Sequence, residues 1–299
     1  MSDIIGHERI LQFFDSVIEH DNLSHAYCFT GPGSVGKRTV AKSLAAKILN
    51  VDREKLNTSL DFSLVERAVN EKTGKTRKDI SIEQIRNLIS VLFQSSFVKD
   101  GYKVAIVDEA DIMSVGASNA LLKTLEEPKK KTVLFLITND ESKLLSTIQS
   151  RCQMIHFSPV SEKEIQESLE GKGGDVEEIV AHAHGLPGKA ILWSNNKESF
   201  GEYKNEVIRF QSLLGKNFYE KLKSVEDLFG DKTDHILARS KLQEALNIWQ
   251  VELHNSIKQK KVDAEHFCKI SDHIKQARTL LAKNVHPRLL IEHILLQLP

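Results

Sequence analysis

Cysteine is scarce in this 299-residue sequence: Cys28, Cys152 and Cys268 are its only three, and they stand far apart. Such spacing gives neither a disulfide framework nor a zinc-binding set. Cys28 lies in an apolar stretch, where a free buried thiol is the ordinary role. Neither sign of charge predominates, since Lys plus Arg and Asp plus Glu both number 41. A chain that grips DNA alone normally carries a basic excess, so this balance argues against autonomous DNA binding but not against DNA contact inside an assembly. Long hydrophobic runs are missing, and with them any expected membrane span. The opening Met1-Ser-Asp-Ile-Ile-Gly6 lacks the basic-then-apolar order of a signal peptide, so a cytoplasmic setting is expected. From Asp231 to the C-terminus there is no glycine. The chain is long for one core, so two or three domains are expected.

One further absence matters more. Gly31-Pro-Gly-Ser-Val-Gly-Lys-Arg-Thr39 follows an apolar strand, Ala26–Thr30, and opens a helix with Val40, Leu44, Ala45, Ile48 and Leu49 as its apolar positions. Strand, glycine loop, lysine and helix form the layout of a phosphate-binding P-loop. Gly31, Gly33 and Gly36 would let backbone N–H groups converge on phosphate oxygens, and Lys37 would sit against the terminal phosphates. The pattern GxxxxGK[ST] requires a hydroxyl next, to hold Mg²⁺. This chain has Arg38 there, and its hydroxyl comes at Thr39. Successive helix residues point about 100° apart, so Thr39 does not simply take over. The result is a phosphate cradle with a damaged metal site.

A short helix over 4–22 precedes the first strand, with Ile10, Phe13, Phe14, Val17 and Ile18 on one face. Asp61–Glu66 reads as a second strand, and the basic segment 71–78 as a loop. Ser81–Gln84 is a capping-box start, continued by Ile82, Ile85, Leu88, Ile89 and Leu92 at helical spacing. Val104–Val107 is a run of β-formers that delivers Asp108-Glu-Ala-Asp111 from its end, the arrangement of a Walker B element. There the first carboxylate supports Mg²⁺ and the second, Glu109, polarises the attacking water. A helix around 119–127 stops at Pro128. Val133–Ile137 is a strand ending in Thr138-Asn139, and Ser150-Arg-Cys152 precedes a last strand over 154–157. Alternating strands and helices predict an α/β fold with a parallel sheet and ligands at the strand C-termini.

Beyond Ser161 the pattern is helical. Ser161–Glu164 is a second capping box, Gly173-Gly174 breaks the run, Asp175 caps the next helix, and another begins near Pro187. Residues 194–203 are polar and read as a linker. Leu242, Ala245, Leu246, Trp249, Leu253 and Ile257 form one apolar stripe, and Phe267, Ile270, Ile274, Ala277 and Leu281 another; Pro287 starts a final helix. His182 and His184 lie two apart in a helix and should diverge, and the twelve histidines otherwise show no ligand spacing, so no metal site is expected.

Ile4-Ile-Gly6, Ser24-His-Ala26, the P-loop, Asp108–Asp111, Leu121-Leu-Lys-Thr-Leu-Glu-Glu-Pro128, Thr138-Asn139 and Ser150-Arg-Cys152 occur in the order found in AAA+ clamp loader subunits. Asn284–Glu292 resembles the C-terminal collar of the bacterial loaders, and the likeness spans the chain. Within that family the sequence looks most like the delta-prime class of bacterial DNA polymerase III, whose P-loops are similarly decayed. The resemblance implies an AAA+ domain over 1–158, a helical lid over 159–203 and an all-α collar for oligomerisation over 204–299. It also implies delta and gamma/tau subunits, the sliding clamp and primed DNA as partners, with no membrane. Motor subunits of the family carry a cysteine cluster for zinc between P-loop and Walker B; residues 38–103 here contain no cysteine, so no zinc is expected. Motor subunits also place a sensor arginine in a Gly-x-x-Arg setting, where this chain has Gly185-Leu-Pro-Gly188, with Lys189 out of phase.

Two readings fit the P-loop: ATP, with or without Mg²⁺, held by Gly31, Gly33, Gly36, Lys37, Thr39, Asp108, Glu109 and Asn139, or a retained fold element with an empty loop. No cofactor is certain. By resemblance, Arg151 is an arginine finger aimed at ATP in the adjacent subunit, a task suited to a rigid, always-charged fork. The alternative for Arg151 is a surface arginine beside a buried cysteine. Arg86 faces the DNA track by resemblance, or is a solvated residue opposite an apolar stripe. The expected function is a non-motor clamp loader subunit that helps load the sliding clamp on primed DNA. A gamma/tau-like ATPase and a non-replicative AAA+ adaptor are the alternatives.

Overall fold

The computed structural model describes residues 4–69, 76–171, 175–229, 235–258, 264–282 and 285–299. The chain divides into two compact units, Met1–Asn195 and Asn196–Pro299. In the first, the elements run α1 (Glu8–Glu19), β1 (Ala26–Thr30), α2 (Lys37–Leu49), β2 (Phe62–Val65), α3 (Ile82–Leu92), β3 (Lys103–Val107), α4 (Val115–Glu126), β4 (Thr132–Thr138), α5 (Ser146–Gln149), β5 (Gln153–His156), α6 (Glu162–Leu169), α7 (Val176–Ala183) and α8 (Pro187–Asn195). The strands form one sheet in the order β2-β3-β4-β1-β5, parallel at every pairing.

The sheet is parallel because each strand-to-strand connection passes through helices, which cover both faces. Every residue of β1, β3 and β4 is buried. Side chains alternate between faces along a strand. Tyr27, Phe29, Ile106 and Phe135 therefore pack with Phe14 of α1 and Val40 and Leu44 of α2, whereas Cys28, Ala105, Val107 and Leu136 pack with Ile85 and Leu88 of α3 and Leu121 and Leu125 of α4. At the N-terminal edge of the sheet, Asp61 and Lys103 pair at 3.2 Å, each side chain only 6% exposed. Asp61 also accepts the backbone N–H groups of Phe97 and Val98.

Both capping boxes form, at Ser81–Gln84 and Ser161–Glu164. Asp175 stands at the start of α7 but accepts no capping hydrogen bond through its side chain. The basic segment over 71–75 and Gly173-Gly174 lie outside the described residues. Helix α5 and a 3-10 turn at Arg53–Thr58 are too short to show a period in sequence.

The second unit comprises α9 (Lys197–Leu213), α10 (Phe218–Ser224), α11 (His235–Lys258), α12 (Ala264–Ala282) and α13 (Pro287–Gln297). Its described residues contain no strand. The anticipated stripes meet in one core, with Leu242, Leu246, Trp249 and Leu253 of α11 against Ile270, Ile274 and Leu281 of α12 and Ile291 and Ile294 of α13. The boundary between the two units falls within 194–203, as a linker there would place it, but from Lys197 onward the segment is helix. Asn196 accepts the N–H of Ser199 at 3.1 Å and caps α9, whose buried face carries Phe200, Tyr203, Val207 and Phe210. Exposed Lys197, Glu198 and Glu202 give that turn its linker-like polarity and mask the spacing of Phe200 and Tyr203. No helix among the described residues is long and apolar enough to cross a membrane.

Candidate functional site

A parallel sheet gathers the residues that follow its strands at one edge. Here Glu66 follows β2, Asp108 follows β3, Asn139 follows β4 and the glycine loop follows β1. They line a cavity of about 490 Å³ together with Lys37, Arg38, Thr39, Arg67 and Glu109. The sequence-predicted loop, Walker B pair and Asn139 are thus brought together. Gly31 is required for close approach: its φ is +147°, and a Cβ there would stand 2.3 Å from the carbonyl oxygen of Phe157.

Lys37 is buried and donates from Nζ to the carbonyl oxygens of Gly31 at 2.6 Å and Pro32 at 2.7 Å, and to Asn139 Oδ1 at 2.9 Å. Burial pushes its ammonium down to about 8, against the opposing pull of Asp108 and Asp111. Arg38 turns inward from the first turn of α2. Its Nη2 lies 2.6 Å from Glu66 Oε2 and its Nη1 lies 3.1 Å from Asp108 Oδ2. Arg67 grips Glu109 with both ends of its fork, Nε at 2.6 Å and Nη2 at 2.9 Å. Glu109 itself adopts a left-handed backbone, φ +52°, at the start of a short 3-10 turn. Each carboxylate of the Walker B pair therefore already has an arginine.

Magnesium demands an octahedron of oxygen ligands with carboxylate support. In this cavity the hydroxyl position is an arginine, and that arginine holds the carboxylate such an ion would need. The donor set does not fit a divalent cation. It does suit phosphate oxygens, because Arg38, Arg67 and the start of α2 line the same space, with Lys37 beneath them held by the carbonyls of Gly31 and Pro32 and by Asn139. Gly188, at the place where the resemblance implies a sensor arginine in motor subunits, donates its N–H to the carbonyl of Ser34 at 2.8 Å, and a Cβ there would stand 2.8 Å from that oxygen. Position 188 admits a side chain only if the Ser34 backbone shifts.

Arg151 is elsewhere. It precedes β5, whose direction matches that of the other strands, so it lies toward the N-terminal edge of the sheet, away from the cavity. Its Nη2 meets Glu126 Oε1 at 2.7 Å and its Nη1 donates to the carbonyl of Thr147 at 2.9 Å, with the side chain 33% exposed. Arg86 is exposed on α3, opposite buried Ile85 and Leu88. Burial raises the thiols of Cys28 and Cys152 to about 12, which leaves both unreactive. His182 and His184 do not diverge: their ligand nitrogens lie within 4.8 Å of one another, because His184 ends α7 in a left-handed conformation, φ +50°.

Sequence reasoning passed over Glu66, Arg67 and Glu126. The strand-end rule could have found Glu66, since it follows β2 as Asp108 follows β3. Arg67 carries no motif, and Glu126 stood in a quoted motif without a role.

Comparison with known proteins places these features in a lineage. The profile of the family described as "DNA polymerase III, delta subunit" matches residues 6–161. The DNA polymerase III subunit tau of Bacillus subtilis is 31% identical over 231 residues, covering 71% of this chain and 39% of the relative. The DNA polymerase III subunit delta' of the same organism is 32% identical over 215 residues, covering 69% of this chain and 64% of the relative. The chain thus spans less than two thirds of the length of either. Among solved structures, a DNA polymerase III gamma-subunit-related protein from Thermotoga maritima superposes with a TM-score of 0.57 at 18% identity, covering 95% of this chain and 97% of that one, a likeness of fold. The chain belongs to the family described as "DNA polymerase III, delta subunit", and it is similar to AAA+ clamp loader subunits, delta' among them.

Proposed function

We propose that this chain is a non-motor subunit of a DNA polymerase III clamp loader. It assembles with delta and gamma/tau subunits through its helical C-terminal part, acting as the collar, while α6 to α8 act as the lid. It presents Arg151 to ATP held by a neighbour, and so helps load a sliding clamp on primed DNA. The observation that carries this reading is the ion pair from Arg38 to Asp108, 3.1 Å long, at the place where a motor needs its metal. Three features support it: Glu109 is tied to Arg67, the lid position is a glycine, and Arg151 stands apart from the chain's own cavity. Glu126 holds the Arg151 fork at the surface, a preorganisation that lowers the cost of meeting a phosphate across an interface.

The test is reconstitution with partner subunits. Arg151→Ala should leave assembly intact and abolish most of the ATP-dependent clamp loading. Unchanged loading would overturn the finger. A gamma/tau-like ATPase is the competing reading, favoured by the retained Lys37 and by the likeness to a tau subunit. Steady-state ATP turnover by the isolated chain, lost in Lys37→Ala, would decide for it.

A further inference from the structure

The cavity at the C-terminal edge contains its own counter-charges. We propose that Arg38 replaces the divalent cation, so that the cavity takes a phosphate chain, that of a nucleoside di- or triphosphate, as the metal-free anion. This rests on the reading of the site as one that binds without turnover.

A hydrated Mg²⁺ supported by Asp108 would have to stand where the Arg38 guanidinium now lies, 3.1 Å from that carboxylate. Two like charges do not share one carboxylate oxygen cheaply in a partly buried site. Removing Arg38 to solvent would also break its 2.6 Å contact with Glu66. A phosphate chain meets no such obstacle. Guanidinium forks match phosphate oxygens in geometry, and Arg38 and Arg67 both line the cavity together with Lys37. Arg38 and Arg67 are balanced, in the absence of ligand, by Glu66, Asp108 and Glu109, while Lys37 donates to the carbonyls of Gly31 and Pro32 and to Asn139. Anion entry therefore exchanges carboxylate partners for phosphate oxygens, and the charge a metal would bring is already covalently attached. Binding is accordingly weaker than in a P-loop with an open cradle, and excess Mg²⁺, by neutralising the free ligand, lowers it further.

The test is calorimetric titration of the full chain with ADP and with ATP, in EDTA and in excess MgCl₂, with phosphate release followed in the same samples. Binding in EDTA that is equal to or tighter than binding in MgCl₂ is expected. Arg38→Thr should reverse the order, with Mg²⁺ strengthening binding about tenfold or more, whereas Arg38→Lys, which keeps the charge, should not. Mg²⁺-dependent binding by the unsubstituted chain overturns the inference, and so does the absence of binding in both buffers. Neither result touches the non-motor reading unless phosphate is released, so the two failures are distinguishable.

Discussion

Strands β2 and β3 carry an ion pair at each end, and the two pairs differ in kind. At the N-terminal edge Asp61 meets Lys103, both side chains 6% exposed, with the carboxylate also saturated by backbone N–H groups. At the C-terminal edge Glu66 and Asp108 share Arg38, and the side-chain exposures are 51%, 15% and 43%. The first pair is dry and joins only groups that stay together. The second lines a cavity, and water or a ligand can replace either partner. Burial, not the count of charges, separates a fastening from a site: removing one member of a dry pair strands the other without solvent, whereas the open pair has water ready to substitute.

That contrast can be attacked in four ways. The largest effect is expected outside both pairs, at Arg151: on the proposed finger role, Arg151→Ala should cut loader ATPase about 10³-fold, the contribution of a trans-acting arginine finger, and Arg151→Lys should fail to restore it because a point charge lacks the fork. Loader turnover in the reconstituted complex measures this. Next, Lys103→Met should lower unfolding free energy by about 3–5 kcal/mol, read by urea denaturation. A loss no larger than that of a surface pair would erase the distinction drawn between the two edges. Arg38→Ala should lower it by less than about 1 kcal/mol in the same assay. A further effect is in pH. With the Lys37 ammonium at about 8 rather than the ordinary 10.5, phosphate-chain binding should be complete below pH 8 and fade as pH rises through it. Because the unfolded chain keeps that proton up to 10.5, this group adds stability as pH rises from about 8 to 10.5 and none below. Titrations at constant ionic strength separate the two.

Much of the fold is legible in the residues. Short continuous β-forming runs name the central strands β1, β3 and β4, because burial on both faces demands them, while the edge strands β2 and β5 show as shorter, partly exposed runs. The stripes of α11 and α12 name their helices for the same reason at a different period. The start of α9 escapes because Lys197, Glu198 and Glu202 dominate its first turn, and an apolar stripe begun at Phe200 shows only over the whole helix. Within the site, local spacing reveals the loop, Asp108 and Asn139, each placed by its own strand. It cannot reveal that Arg38 reaches both Glu66 and Asp108, residues 28 and 70 positions away, or that Arg67 takes Glu109. Those contacts are properties of the strand order, which no single stretch encodes. His184 shows the converse: helical geometry said that its ring would part from that of His182, and the helix simply ended first.

The contact between Gly188 and Ser34 bears on how such a subunit can change. Reinstating a hydroxyl at position 38 would repair only one part of a hydrolytic centre. An arginine at 188 would drive its Cβ to within 2.8 Å of the Ser34 carbonyl, so α8 would have to lift away from Ser34 to accept it. On the proposed non-motor reading, making a motor of this chain therefore needs at least two coordinated alterations, one chemical and one in backbone placement. Position 188 thus constrains this cavity by geometry as much as position 38 does by chemistry.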